Sequence, residues 1–202
     1  MPPPAEAGVA ALVLAAGASA RLGRPKQLLP YRDGVLLDAA LHTARASGVE
    51  QIVLALGGAA AEVLRVVDTS GCDVVLNPQY GDGCSSSIAA ALPALRPDIG
   101  VLLLLLADQP GVGVESVRRL LDGRGDSVIA VCRYEDGIGH PFAFARPLFA
   151  DLASLHGDKG VWRLIERRPA DVREVPVPGR IPLDVDTEAD YRQLLADLEG
   201  AR

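Results

Sequence analysis

Five short apolar runs recur along the chain. They are rich in Val, Ile and Leu and are continuous rather than alternating with polar residues. Continuous runs of this length are typical of strands covered on both faces in a mostly parallel sheet. The sequence therefore predicts a buried central sheet. The runs are Val9–Ala15, Gln51–Leu56, Val74–Leu76, Val101–Leu106 and Ser127–Val131.

Between these runs lie segments with the apolar spacing of amphipathic helices. Thr187 and Asp190 have the spacing of a capping box, so we expect the last helix to begin directly after Thr187. Alternating strands and helices with short joints predict an α/β fold of three layers, Rossmann-like, with a mostly parallel central sheet. Two sets of residues would each share a helix face: Leu36, Leu37, Ala40, Leu41 and Ala44, and then Tyr191, Leu194, Leu195 and Leu198.

Length and composition favour one domain. The 202 residues, 49% of them hydrophobic, suffice for one buried core, and we expect a disordered tail over residues 1–8 and a single domain over 9–202. The tail lacks the basic start and apolar stretch of a secretory signal. The strongest apolar run, Val101–Ala107, is far shorter than the roughly 20 residues of a membrane span. We expect no membrane partner.

Charge and cysteine usage narrow the classes further. A formal net charge of −6 argues against a broad binding surface for nucleic acid. Cys72, Cys84 and Cys132 are widely separated and form no C-x-x-C pair, which favours a reducing cytoplasm. The histidines are equally scattered, so a metal, if present, is expected to be a hard ion on oxygen ligands.

A small-residue, basic loop follows the first predicted strand, at the edge where open α/β sheets bind ligands. Ala15, Ala16 and Gly17 allow close backbone approach, and Arg21 and Lys26 add positive charge, as phosphate binding requires. The loop matches neither the Walker A pattern nor the Rossmann glycine fingerprint. It predicts a phosphate-binding loop of another nucleotide fold; the alternative is a flexible connection with incidental basic residues.

Lysine is rare in this chain. Of 20 basic residues 18 are arginine, and the lysines are Lys26 and Lys159, both in polar loops that contain glycine. Lysine offers a compact point charge that arginine cannot copy at a crowded phosphate. We therefore single out both, with chance placement as the alternative for each.

Two aspartates complete the candidate chemistry. Asp108 lies two residues after the end of the run Val101–Leu106. An unpaired carboxylate at the end of a buried strand would be costly, and a bound Mg²⁺ would compensate its charge. Asp186, just before the last helix, could supply a second carboxylate to the same ion. The alternatives are a cap for the following helix at Asp108 and a favourable N-terminal helix charge at Asp186. Together with the basic loop, the pair favours phosphoryl or nucleotidyl transfer by positioning and charge neutralisation.

The segment Gly83–Ser87 contains three serines but is not the G-x-S-x-G pattern of serine hydrolases. We interpret its hydroxyls as groups at a helix start that can meet the nucleobase or ribose.

On the motifs described above, the chain resembles the MobA-like nucleotidyltransferase superfamily over nearly its full length. Within that superfamily it resembles the molybdenum cofactor cytidylyltransferases most closely. Pro25–Gln27 looks like the cytidylyl rather than the guanylyl branch. The residues that carry the resemblance are Leu14–Gly17, Ser19, Arg21, Gly23, Pro25–Leu29, Asp108–Pro110, Gly139–Pro141, Gly157–Gly160, Asp184–Thr187, Asp190 and Tyr191.

The resemblance implies a nucleotidyltransferase fold and a reaction in which the terminal phosphate of molybdopterin attacks the α-phosphate of MgCTP, giving molybdopterin cytosine dinucleotide and pyrophosphate. It implies Arg21, Lys26 and Asp108 as catalytic residues, and Asp108 and Asp186 as Mg²⁺ ligands. The implied nucleotide contacts are Leu14, Ala15, Ala16, Gly17, Ser19, Arg21, Lys26, Gly83, Ser85, Ser86 and Ser87. The implied acceptor contacts are Gly139, His140, Pro141, Asp158 and Lys159.

Other functions stay open. The acceptor could be a sugar phosphate or another phosphorylated cofactor precursor, and some relatives of this fold are nicotine-blue-type oxidoreductases. A nucleotide sensor would keep the binding residues without turnover. A molybdoenzyme or a cofactor-insertion protein is a candidate partner.

Overall fold

The computed structural model describes residues 8–17, 19 and 21–200. Most of the predicted N-terminal tail, residues 1–7, lies outside the described residues. Its last residue was assigned wrongly, because Gly8 begins the first strand and its N–H donates to the carbonyl of Asp98 at 3.1 Å.

The described residues form a seven-stranded sheet with helices on both faces, and a short hairpin. The strands are β1 (Gly8–Ala15), β2 (Pro30–Tyr31), β3 (Gly34–Val35), β4 (Gln51–Leu56), β5 (Asp73–Leu76), β6 (Ile99–Leu106), β7 (Ile129–Tyr134), β8 (Gly137–Ala145) and β9 (Val172–Pro176). The helices are α1 (Leu36–Ala46), α2 (Ala60–Val66), α3 (Cys84–Ala91), α4 (Val114–Gly123), α5 (Phe149–Ala153), α6 (Gly160–Arg167) and α7 (Glu188–Gly200). Short 3₁₀ helices cover Lys26–Leu28, Tyr80–Asp82, Leu92–Ala94, Arg146–Leu148 and Pro169–Asp171.

The strand order in the sheet is β5-β4-β1-β6-β8-β7-β9. All neighbouring pairs are parallel except those of β8, which runs antiparallel to both β6 and β7. The predicted mostly parallel sheet is therefore confirmed, with β6 at its centre. The apolar runs did not reveal β8 or β9, because β8 is interrupted by Gly139, His140 and Pro141, and Arg173 and Glu174 interrupt β9.

Two apolar clusters, one on each face of the sheet, make the three layers. Successive residues of β1 alternate between them: Ala11 and Val13 face one cluster, while Ala10 and Leu12 face the other. The first cluster contains α1 and α4, and the second contains α3, α5 and α6. The predicted face of α1 is buried, since Leu36, Leu37, Ala40, Leu41 and Ala44 are each at most 5% exposed.

The C-terminal segment returns to the end of β6. Val185 is fully buried against Leu36 and Tyr191, and its N–H donates to the carbonyl of Asp108 at 2.9 Å. The predicted capping box is confirmed: the Thr187 N–H donates to Asp190 Oδ2 at 2.7 Å, and the Asp190 N–H donates to Thr187 Oγ1 at 3.2 Å. These contacts bring two distant parts of the chain to one place.

The helices that the structure describes are all too short or too polar to cross a bilayer.

Candidate active site

A cavity of about 780 Å³ opens at the carboxyl edge of β1 and β6, where parallel sheets bind ligands. The residues predicted for the nucleotide and for the acceptor meet in it. Those that line it are Leu14, Ala15, Ala16, Gly17, Ser19, Arg21, Lys26, Gly83, Ser87, Asp108, Gly139, His140, Asp158 and Asp186.

An ion-pair cluster stands at one end of the cavity. The Lys26 ammonium donates to Asp108 Oδ2 and, at 2.8 Å, to Asp186 Oδ1. Arg21 forms an ion pair with the other oxygen of Asp186 at 2.7 Å. The side chains of Lys26 and Asp108 are only 14% and 18% exposed, whereas Arg21 is 67% exposed. The two separated aspartates therefore meet around one cation, and Asp108 does not cap α4, which begins six residues later.

The pKa values of the cluster reflect this pairing. Burial lowers the pKa of Lys26, but the carboxylates of Asp108 and Asp186 outweigh it and leave that pKa above its ordinary value. Burial raises the pKa of Asp186, but Lys26 and Arg21 outweigh it and hold that pKa below its usual range. Lys26 and Asp186 are therefore both charged near neutral pH.

Asp184 is a third carboxylate of the site that we did not predict. It lines the cavity, and burial raises its pKa to about 6, helped by the charges of Asp108 and Asp186. The positive charge of Lys26 acts in the opposite direction. The alternation of two aspartates in the Asp184–Asp186 segment was the only sequence signal for it, because its partners come from another part of the chain.

Ser19 fixes the shape of the basic loop. It adopts a positive φ of 52°, and its carbonyl accepts the N–H groups of Leu22 and Gly23 at 3.0 and 3.1 Å. Its hydroxyl accepts the Lys26 N–H at 2.9 Å. The serine predicted to contact nucleotide thus also sets the start of the 3₁₀ helix that carries Lys26.

Ser85 and Ser86 do not line the cavity, so their predicted contact with nucleotide stays a prediction. The Ser85 hydroxyl is buried and donates to the carbonyl of Gly157 at 2.6 Å. The Ser86 hydroxyl donates to the carbonyl of Gly83 at 2.8 Å. Neither side chain lines the cavity, because each is bound to the backbone of a neighbouring loop.

Ser85 helps to join two loops at the cavity rim. Gly83 has a φ of 93°, and a Cβ there would lie 2.6 Å from the carbonyl carbon of Gly157. The Cys84 N–H donates to Asp158 Oδ1 at 3.0 Å. Asp158 therefore lines the rim while holding the first turn of α3. Lys159, exposed at the start of α6, does not line the cavity.

The acceptor side is aromatic. The His140 ring lies 4.1 Å from the Phe142 ring and 6.3 Å from the Trp162 ring, measured between centroids. Burial lowers the pKa of His140 to about 3, so the ring is neutral at pH 7. Pro141, buried behind it, does not line the cavity, contrary to its predicted contact. This wall can stack or donate one hydrogen bond, but it offers no charged acid.

The acidic cluster suits a hard divalent ion. Two carboxylate oxygens held on one ammonium nitrogen are close enough to share one small cation, and oxygen donors are the ligands that Mg²⁺ prefers. Over the described ranges no group of three or more His, Cys, Asp or Glu forms a complete ligand set. Asp108 and Asp186 could therefore hold an ion whose other ligands come from substrate and water.

Comparison with known proteins places these residues in context. The profile described as the MobA-like NTP transferase domain matches residues 11–172. The nicotine blue oxidoreductase of Paenarthrobacter nicotinovorans is 34% identical, over 80% of this chain and 83% of its own. The molybdenum cofactor cytidylyltransferase of Escherichia coli is 30% identical, over 67% and 69%. The crystal structure of Rv0371c with manganese, from Mycobacterium tuberculosis, is 46% identical with a TM-score of 0.85, over 94% and 98%.

The depressed pKa of His140 gives a pH test. Because the folded protein resists protonation of this ring, the unfolded chain gains a proton below about pH 6.5 that the folded state does not, and the free energy of unfolding falls. We expect His140 ring resonances that do not titrate between pH 8 and about 5. We also expect a smaller loss of unfolding free energy over this range in His140→Gln than in the wild type. Equal losses of unfolding free energy in the two proteins, measured by urea denaturation at each pH, would contradict the depressed pKa of His140.

Proposed function

The chain belongs to the MobA-like NTP transferase family, and on that premise we propose that it transfers the cytidylyl group of CTP to the terminal phosphate of a molybdopterin-type acceptor and releases pyrophosphate. The observation that carries the proposal is the Lys26 ammonium between Asp108 and Asp186, beside the small-residue loop. Such a cluster is built for a triphosphate and a divalent ion, and it leaves bond making to the acceptor.

Each residue of the cluster has a role in this proposal. Asp108 and Asp186 would hold the Mg²⁺, which would neutralise charge on the triphosphate. The 46% identical mycobacterial protein was solved as a complex with manganese, which supports a divalent ion in the proposed reaction. Arg21 and Lys26 would contact the phosphates, since both cations stand beside the loop that follows β1.

The phosphate oxygen of the acceptor is the nucleophile, so no protein nucleophile is needed. It attacks the α-phosphorus, and the bond from that phosphorus to the β-phosphate oxygen breaks, releasing pyrophosphate. The backbone of Ala15–Gly17 contacts the nucleotide, with Gly83 and Ser87 on the base side. Gly139, His140 and Asp158 face the acceptor.

The choice of CTP and of a molybdopterin acceptor rests on similarity. Pro25–Gln27 is similar to the cytidylyl branch, and the Escherichia coli relative is a molybdenum cofactor cytidylyltransferase. The free thiols Cys72, Cys84 and Cys132 fit a reducing cytoplasm, where we place the reaction.

A second candidate is an oxidoreductase, because the Paenarthrobacter relative is a nicotine blue oxidoreductase. The ion cluster favours transfer, because two carboxylates on one ammonium form a place for a divalent ion, which hydride transfer from a nicotinamide does not require.

Pyrophosphate release tests the proposal and separates the candidates. We expect release with CTP, Mg²⁺ and molybdopterin, and much less with GTP, ATP or UTP, because the base-side loop must read the base. Sugar phosphates serve as alternative acceptors in parallel reactions. Oxidation of NADH or NADPH by nicotine blue without pyrophosphate release in any reaction would reject transfer in favour of the oxidoreductase.

Asp108→Asn should abolish most turnover while the protein stays folded, because the lost charge matters once the ion and triphosphate bind. Asp98→Asn is the matched control: Asp98 lies just before β6, at its opposite end, and is 65% exposed. Turnover is measured by pyrophosphate release and folding by thermal unfolding. Full activity of Asp108→Asn would remove Asp108 from the proposed ion site.

Lys26→Met should lower kcat by about 100- to 1,000-fold, the order seen when a preorganised charge on a transferring group is lost. Lys159→Met removes the other lysine of the chain, which does not line the cavity, and should retain wild-type kcat. Rates are compared at saturating nucleotide. An equal effect of the two substitutions would show that net charge, rather than position, matters.

A further inference from the structure

Gln27 is a buried amide directly beneath the phosphate loop. The residue is 2% exposed, and it lies in the 3₁₀ helix that begins with Lys26. Its Nε2 donates to the carbonyl of Ala15 at 2.7 Å and to the carbonyl of Gly17 at 3.1 Å. One amide group thus uses both of its N–H bonds on two carbonyls of one loop.

These two bonds decide which backbone groups the loop presents. In a planar trans peptide the C=O and the following N–H point in opposite directions, so drawing the Ala15 carbonyl toward Gln27 turns the Ala16 N–H away from it. A carbonyl oxygen facing a triphosphate would repel it, whereas an N–H would donate to it. Gln27 therefore removes two repelling oxygens from the surface that meets the phosphates.

The N–H groups of this loop are available to a ligand. Ala16, whose N–H shares a peptide with the Ala15 carbonyl, lines the cavity, and none of the hydrogen bonds within residues 8–17, 19 and 21–200 uses that N–H. The Oε1 of the same amide is buried and has no hydrogen-bond partner among the described residues, which is costly. An apolar residue of the same size would avoid that cost, so the retained amide points to a use for its donors.

We propose that Gln27 is a positioning residue for the triphosphate: it holds the carbonyls of Ala15 and Gly17 inward so that the loop offers N–H groups to the phosphates. This inference rests on the proposed function, and it adds a residue that acts through the backbone of the loop. It predicts that replacing Gln27 weakens binding more strongly as the number of phosphates on the ligand increases. A residue that only fills the core would lower stability without that dependence.

The test compares Gln27→Met with the wild-type protein in binding to cytidine, CMP and CTP, each with Mg²⁺. Met has a similar volume but no donor. We expect cytidine affinity within about twofold of wild type and CTP affinity weaker by roughly tenfold, as expected for two lost hydrogen bonds, with CMP between them. Gln27→Glu, which places an acceptor against two carbonyls, should weaken CTP binding further.

Gln51→Met is the matched control. Gln51 is also a buried amide, at the opposite edge of the sheet, and its Nε2 donates to Asp73 and to the carbonyl of Ala94. It should lower the melting temperature without changing the ratio of CTP to cytidine affinity. An unchanged ratio in both folded Gln27 variants would overturn the role of Gln27 while leaving the proposed function intact. A wild-type protein that binds no nucleoside triphosphate would overturn both.

Discussion

The contact between the Lys26 ammonium and the carboxylates of Asp108 and Asp186 is the constraint on which the site depends. Its members come from the loop after β1, the end of β6 and the segment before α7. The site therefore forms only when the fold brings these three segments into contact. The backbone bond from Val185 to Asp108 and the capping box at Thr187 hold the C-terminal segment in place. Partly buried charges are tolerated because each has an opposite charge in contact.

Local patterns predicted much of the fold, because the residues of the core elements favour by themselves the strand or helix that they form. Continuous apolar runs marked the parallel strands, and helical spacing marked α1. The irregular elements escaped, since β8 owes its pairing to β6 and β7 rather than to its own pattern. Ser85 and Ser86 show the same limit in the site: a hydroxyl at a helix start can face a ligand or a neighbouring loop, and only the tertiary contact with Gly157 and Gly83 decides. Asp184 was missed for the same reason.

The cavity is divided by charge. At one end stand Arg21, Lys26 and three carboxylates, and at the other the neutral His140 ring packs with Trp162 and Phe142. A ligand that spans both ends must combine a highly charged part with a flat, less polar part. A nucleoside triphosphate meeting a phosphorylated heterocycle fits this division, because their phosphates would meet at the charged end.

The similarity to an oxidoreductase and to a cytidylyltransferase is not a contradiction, since one fold can host different reactions and the site decides. What an oxidoreductase would need from this cavity is the stacking wall around His140. What a transferase needs is the charged end, where each carboxylate that Lys26 contacts would be a cost without a cation to neutralise it. This chain retains both the cation and the carboxylates, together with a buried amide that turns carbonyls away from them. That combination suits a triphosphate that arrives with its own divalent ion, whereas hydride transfer needs no such ion between two carboxylates.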